Sequence, residues 1–234
     1  MAVAAGPAWG YGYTTVYAPP EGEDSHLDIV NDIYSAYGPF AAEGLDFNNG
    51  SGITISRAYD FDSGDDTLHI VLGDETGVDQ IWTDGTAQVT AQVKWAGLGQ
   101  SFGWNQGEGV DGLDISNYYE LLTDADIGGL PVEIMVTGDF LWGMKPNGYE
   151  WWSLQSLNDD GYDDHMVTYF VDGLPDAAPG EAVWLLLWED LPCSGCDMDF
   201  NDFGVEVRAI PEPSAFLLVG GGLTGLAAFR RRRR

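Results

Sequence analysis

Positive charge is what this chain has least of where it folds. Its 234 residues carry 38 acidic side chains against 9 basic ones, a formal net charge of −29. Five of the nine bases close the chain as Arg230 to Arg234, so only Arg57, Lys94, Lys145 and Arg208 serve everything before them. Such a body repels nucleic-acid backbones and anionic membrane surfaces, which excludes nucleic acid as a partner. It attracts divalent cations instead.

Sulfur and imidazole are nearly as scarce. The cysteines are Cys193 and Cys196, and the histidines are His26, His69 and His165. A zinc site needs about four ligands, and no histidine lies near the cysteine pair in sequence. A Cys-x-x-Cys redox centre normally opens a helix, whose N-terminus lowers the thiol pKa. Here the acidic run Asp197-Met198-Asp199 follows, which raises it. The expectation is a small Cys193–Cys196 disulfide bracing a loop in an oxidising compartment, with inert thiols as the plain alternative.

Catalytic signatures are missing too. There is no Gly-x-Ser-x-Gly, no phosphate-binding loop and no His-Glu-x-x-His. Glycoside hydrolysis needs two carboxyl groups at a set spacing, but among 38 acids some pair always fits. No acid stands in an apolar setting that would mark a proton donor. The reading is a protein that is not an enzyme. The first ten residues, MAVAAGPAWG, lack both Lys and Arg and an apolar stretch long enough for a secretory signal. The expectation is a native product that begins further upstream, with residues 1–24 as a lead-in or signal-peptide remnant.

Aromatics are plentiful: nine Trp, eleven Tyr and ten Phe, ample for a core in a chain of this length. Ser25 caps a helical pattern in which Asp28 stands three residues on, and Leu27, Val30, Ile33 and Tyr34 share a face. Gly38-Pro39 ends it, which predicts a helix over Leu27 to Tyr37. The remaining signals are mostly β: Ile53 to Ser56, Thr67 to Leu72, Ala87 to Trp95, Pro131 to Phe140, Met166 to Val171, Ala182 to Trp188 and Phe203 to Arg208. The stretch Ala182 to Trp188 is almost wholly apolar, as in a strand covered on both faces. Asn117 to Leu122 reads as a second short helix. The fold class is all-β: an antiparallel β-sandwich or jelly roll over residues 25–209, with one or two short helices, followed by a single hydrophobic C-terminal helix in 210–234.

That end has three parts in order. Pro211-Glu212-Pro213 is extended and cannot enter a helix interior, so it stays accessible to an enzyme. Ala215 to Phe229 is apolar, and the five arginines that follow are retained on the cytoplasmic side of a membrane. The apolar part is short of the ~20 residues of a full span and holds Gly220, Gly221, Gly222 and Gly225. This tail resembles the PEP-CTERM sorting signal of Gram-negative bacteria. The resemblance implies that Pro211, Glu212 and Pro213 form the sorting motif read by an exosortase, a membrane-embedded cysteine protease-transpeptidase. It implies a transient stay in the inner membrane, then the cell surface or the exopolysaccharide matrix.

The densest acidic constellation precedes the tail. Asp197, Asp199 and Asn201 alternate, so their oxygens fall on one side of an extended loop. Calcium takes six to eight hard oxygens at ~2.3–2.6 Å, and Glu189 and Asp190 stand ready to close the cage. Asp163 or Asp164, in the run Asn158 to His165, joins if that strand is a neighbour. An Asx-rich turn capping backbone amides is the plain alternative. Residues from about His165 to Arg208 also resemble a bacterial extracellular domain family of unknown function, whose end reads FEDL … GDxDFND … V. Here it is Trp188-Glu189-Asp190-Leu191, then Asp197-Met198-Asp199-Phe200-Asn201-Asp202, then Val205 and Val207, with Trp in place of Phe and the cysteine pair inserted. The resemblance implies a calcium-associated β-sandwich with Glu189, Asp190, Asp197, Asp199 and Asp202 as ligands. Asp60 to Asp66 reads as a hairpin turn. Trp142, Tyr149, Trp151 and Trp152 fill a core or else stack on sugar rings, which leaves a calcium-dependent glycan-binding module as the rival function.

Overall fold

The computed structural model describes residues 11–59, 61–62, 69–71, 78–106, 117–160, 164–192 and 194–210. In chain order its strands are β1 (Tyr11–Gly12), β2 (Ala41–Glu43), β3 (Asp46–Asn48), β4 (Thr54–Arg57), β5 (Phe61–Asp62), β6 (His69–Val71) and β7 (Val78–Lys94). They continue as β8 (Gln100–Gln106), β9 (Tyr119–Thr123), β10 (Val132–Pro146), β11 (Trp151–Trp152), β12 (Met166–Asp172), β13 (Ala182–Trp188) and β14 (Phe203–Ile210). Among the described residues one α-helix, α1 (His26–Ile33), precedes all the strands but the first.

The main sheet runs β2-β3-β4-β12-β13-β14-β7-β10-β8-β9, and every pair on that path is antiparallel. β11 adds to β10, and β6 runs parallel beside β7. The apolar run Ala182 to Trp188 lies in the interior as β13, paired with β12 on one side and β14 on the other, and all seven residues are buried. Its side chains alternate between two cores. Trp184, Leu186 and Trp188 enter one, with Trp82, Phe102, Trp142 and Val205. Val183, Leu185 and Leu187 enter the other, with Ile29, Val30, Tyr169 and Phe200. Two-sided burial is why this strand lacks the polar-apolar alternation of its neighbours.

The second core is closed by α1. The Ser25 hydroxyl accepts from the Asp28 amide, and the Asp28 carboxylate accepts from the Ser25 amide at 3.1 Å, so the capping box forms as its spacing predicts. The helix is shorter than expected. It ends at Ile33, and a 3₁₀ turn over Ser35–Tyr37 leads to Gly38 at φ 99°. That break lets Tyr34 turn inward, where its hydroxyl donates to Glu206 Oε2 at 2.9 Å.

The first core is closed by the sheet itself. β7 bends at Asp84 (φ 41°) and Gly85 (φ 137°), facing the register shift between Val136 and Asp139 in β10, where Gly138 has φ 80°. Beyond these bends β8 and the second half of β10 swing back over β12 and β13. Four pairing steps separate β8 from β13, yet the Phe102 ring meets Trp188 at 6.1 Å. Trp82 meets Trp184 at 5.3 Å. The architecture is thus a sandwich made by one curled sheet.

Asn117 to Leu122 is not helical. Tyr119–Thr123 is the edge strand β9, with Leu122 buried and Tyr119 stacked on Trp104 at 5.1 Å. Cross-strand pairing with β8 overrides the local signal. The tail from Pro211 onward, with its expected helix, and the acidic run at Asp60 and 63–66 lie outside the described residues. Among the described residues no helix is long and apolar enough to cross a membrane.

Candidate metal centre

The loop from Glu189 to Asp202 joins β13 to β14 and holds most of the expected ligands. Its two ends are tied back to the sheet. The Asp202 amide donates to Trp188 O at 3.1 Å, and the Glu189 amide donates to His165 O at 3.0 Å. The Trp151 indole N–H donates to Asp190 O at 3.0 Å, and the Trp151 ring lies flat on His165 at 3.8 Å. Extended pairing therefore runs past the ends of both strands and carries Glu189 and Asp190 into the interior.

There they meet Asp202. One oxygen from each of Glu189, Asp190 and Asp202 lies within 4.8 Å of the other two. Glu189 and Asp190 are buried and Asp202 is half-buried. Asp190 Oδ2 accepts from Gln100 Nε2 at 2.9 Å, and Asp202 Oδ2 accepts from the Asp190 amide at 2.8 Å. Glu189 Oε1 has one long contact, from the Leu191 amide at 3.3 Å, and Glu189 Oε2 is buried with no N–H or hydroxyl donor, while the Glu189 and Asp202 carboxyl groups hydrogen-bond to each other when one of them is protonated. Among the described residues no basic side chain pairs with any of the three. The charge of Lys94 favours ionised Asp190, but Lys94 is itself bound to Asp124.

A buried carboxylate with few donors and no paired base is costly, and its protonation reflects that cost. Burial, then the charges of Asp202 and Asp197, push Glu189 up to about 9. Burial, reinforced by Asp190 and Asp199, pushes Asp202 up to about 7. Asp190 is raised by burial against the opposing bonds from Gln100 and Asp202. Three carboxylates gathered together, with one Glu189 oxygen lacking an N–H or hydroxyl donor, fit a hard cation. The donor set is all oxygen, the chemistry of calcium rather than of a soft transition metal.

Asp197 and Asp199 do not join this triad. Met198 (φ 57°) and Phe200 (φ 54°) are left-handed, so the loop coils instead of running extended. The coil gathers Asp197 and Asp199 with Glu23, one oxygen of each lying within 4.8 Å of the others. Asp199 is pushed up to about 6, by burial first and then by Asp197 and Glu23. Glu23 lies in the N-terminal lead-in, 174 or more positions from its partners, and the local acidic run Glu21 to Asp24 does not mark it out.

Asp164 stands outside both triads. Its Oδ2 accepts from the Thr14 hydroxyl at 2.8 Å, and its Oδ1 from the Met166 amide at 3.3 Å. His165 contacts Asp160 Oδ2 through Nε2 at 2.9 Å. Asp163 and Cys193, and with Cys193 the expected disulfide, lie outside the described residues. Of the aromatics singled out, Trp142, Trp151 and Trp152 are buried in the core, while Tyr149 is 42% exposed.

The final strand leads straight into the sorting sequence: Ile210, paired with Thr86, immediately precedes Pro211. Comparison with known families matches residues 209–234 to the PEP-CTERM protein-sorting motif. No curated protein matches the chain.

Proposed function

From the premise of an exported chain, handed by its PEP-CTERM tail to an exosortase at the membrane and sent to the cell surface, we propose that the body is a non-enzymatic, calcium-stabilised β-sandwich. It passes through the inner membrane and ends at the surface or in the exopolysaccharide matrix. The observation that carries the calcium is the triad of Glu189, Asp190 and Asp202, with Glu189 Oε2 buried and without an N–H or hydroxyl donor. A cation converts mutual repulsion into shared attraction there. Binding to the folded state alone stabilises it in proportion to the logarithm of free calcium, about 2.7 kcal/mol at a hundredfold excess over Kd. Calorimetry with calcium and with chelator is the test. The expected outcome is a melting temperature several degrees lower in chelator. No shift, together with no calcium by elemental analysis, removes the ion.

One observation favours the rival reading, a glycan-binding module. Tyr149 stacks on Trp151 at 5.5 Å and faces a shallow depression of about 370 Å³, lined also by Glu150, Trp152 and Asp159. An exposed ring beside carboxylates suits a sugar face and its hydroxyls. A glycan array, read with and without calcium, separates the two readings. Binding lost on Tyr149→Ala with the fold intact supports the module.

A further inference from the structure

We propose that Glu23, Asp197 and Asp199 hold a second hard divalent cation, calcium, which fastens the N-terminal segment to the β13–β14 loop. The proposal goes beyond the triad at Glu189 and shares with it only the identity of the ion.

The first observation is the gathering itself. Three carboxylates from two distant parts of the chain converge, and among the described residues none of them forms an ion pair with a base. Two like charges about 4 Å apart repel by roughly 1 kcal/mol in water and about 4 kcal/mol near a protein surface. Nothing in sequence forces Glu23 to this place, since neighbouring acids could have faced solvent. The second observation is independent of the clustering. Asp199 is 2% exposed; its Oδ1 accepts from the Asn201 amide at 3.2 Å, but its Oδ2 is buried with no donor. An acceptor so placed has given up water and gained nothing from the protein.

The surroundings look prepared for a bound ion. Fully buried Asn201 spans the two segments: its Nδ2 donates to Asp24 O at 3.0 Å and lies 3.4 Å from Glu23 Oε2. The Tyr17 amide donates to Met198 O at 2.9 Å. These bonds set the lead-in against the loop and hold both walls of the site apart at a fixed distance. Glu23 is half-buried and Asp197 exposed, which leaves room for the waters that complete calcium's shell.

The consequence is a staple. Besides Tyr17 and Asn201, the contacts holding the described lead-in include the two-residue pairing of β1 with β5 and the bond from Thr14 to Asp164. A cation between Glu23 and the loop fixes the segment's far end to the sheet beside β14, the strand that runs into the sorting tail.

The test uses the full chain in detergent, with calcium alone as probe. Native mass spectrometry and calorimetric titration should count two calcium ions on the wild type. Glu23→Gln should leave one, with affinity for the other lowered at least tenfold, while Asp202→Asn should lose the opposite ion. Calcium should also protect the chain before Ser25 from limited proteolysis, and Glu23→Gln should abolish that protection. Asp197→Asn, at an exposed position, repeats the test should Glu23→Gln fold poorly. Two ions on both Glu23→Gln and Asp197→Asn would overturn the proposal. A single ion on the wild type, removed by Asp202→Asn and spared by Glu23→Gln, would overturn it while leaving the first site standing. No ion on the wild type would overturn both.

Discussion

At the scale of single residues, the informative position is Glu189. The alternation of Asp197, Asp199 and Asn201 marks the loop as acidic, and Glu189 and Asp190 mark its entry. What sequence spacing could not express is that Met198 and Phe200 adopt left-handed backbone and divide the acids between two groups. Glu23 was hidden for a different reason: its partners are distant in the chain, and only tertiary packing of the lead-in joins them. Glu189→Gln separates the roles of charge and shape. The amide keeps the volume but cannot ionise to hold a cation, so in chelator at pH 7, where the Glu189 carboxyl is itself protonated, the variant should melt no lower than the wild type. In calcium it should lose most of the stabilisation the wild type gains. A variant that still rises in calcium as far as the wild type would show that Glu189 is not a ligand. Differential scanning calorimetry in the two buffers reads both outcomes.

At the scale of elements, alternation located β4, β12 and β14 within a residue or two, and the all-apolar Ala182 to Trp188 identified the central strand. Three elements resisted. β7 and β10 are far longer than the expected strands, because each crosses a bend that local turn residues, Asp84-Gly85 and Gly138, absorb without ending the ladder. β9 carried a helical signal because Tyr118, Leu121 and Leu122 sit at helical spacing; its strand conformation comes from β8. The β8–β9 contact is close enough to exclude any side chain at Gly103. A Cβ there would stand 2.3 Å from Tyr119 O and 2.8 Å from the Tyr118 ring. Backbone cannot yield as a side chain does, so Gly103→Ala should push β9 off the edge and cost roughly 1–3 kcal/mol of stability. Amide hydrogen exchange should show the loss concentrated in Tyr119–Thr123. Unchanged exchange there would mean the edge strand is not held by this approach.

At the scale of the whole molecule, an acidic body must manage the charges it has drawn inside, and pH reveals how. His26 is held neutral: burial first, then Arg57, lowers it from 6.5 to about 4. The unfolded chain takes up that proton near 6.5, so this contribution is present above pH 6.5 and lost as pH falls towards 4. The clustered acids work in the opposite sense. Glu189 rises from 4.5 to about 9, and Asp199 and Asp202 rise from 3.8 to about 6 and about 7. Their unfolded counterparts ionise first, so the stability they carry is complete below about pH 4 and drains away as pH climbs to 9. Between pH 4 and 6.5 the two trends oppose; above 6.5 only the loss remains. In chelator, stability should therefore fall steadily from pH 6.5 to 9, with Glu189 and Asp202 titrating together as one cluster. Saturating calcium ionises the same carboxylates in the folded state, replaces the protons and should flatten the decline. Thermal melts across that range, with and without calcium, check the pair of curves. Parallel curves would mean that protons and cation do not compete for the same oxygens, and the triads would then be acidic turns that bind nothing.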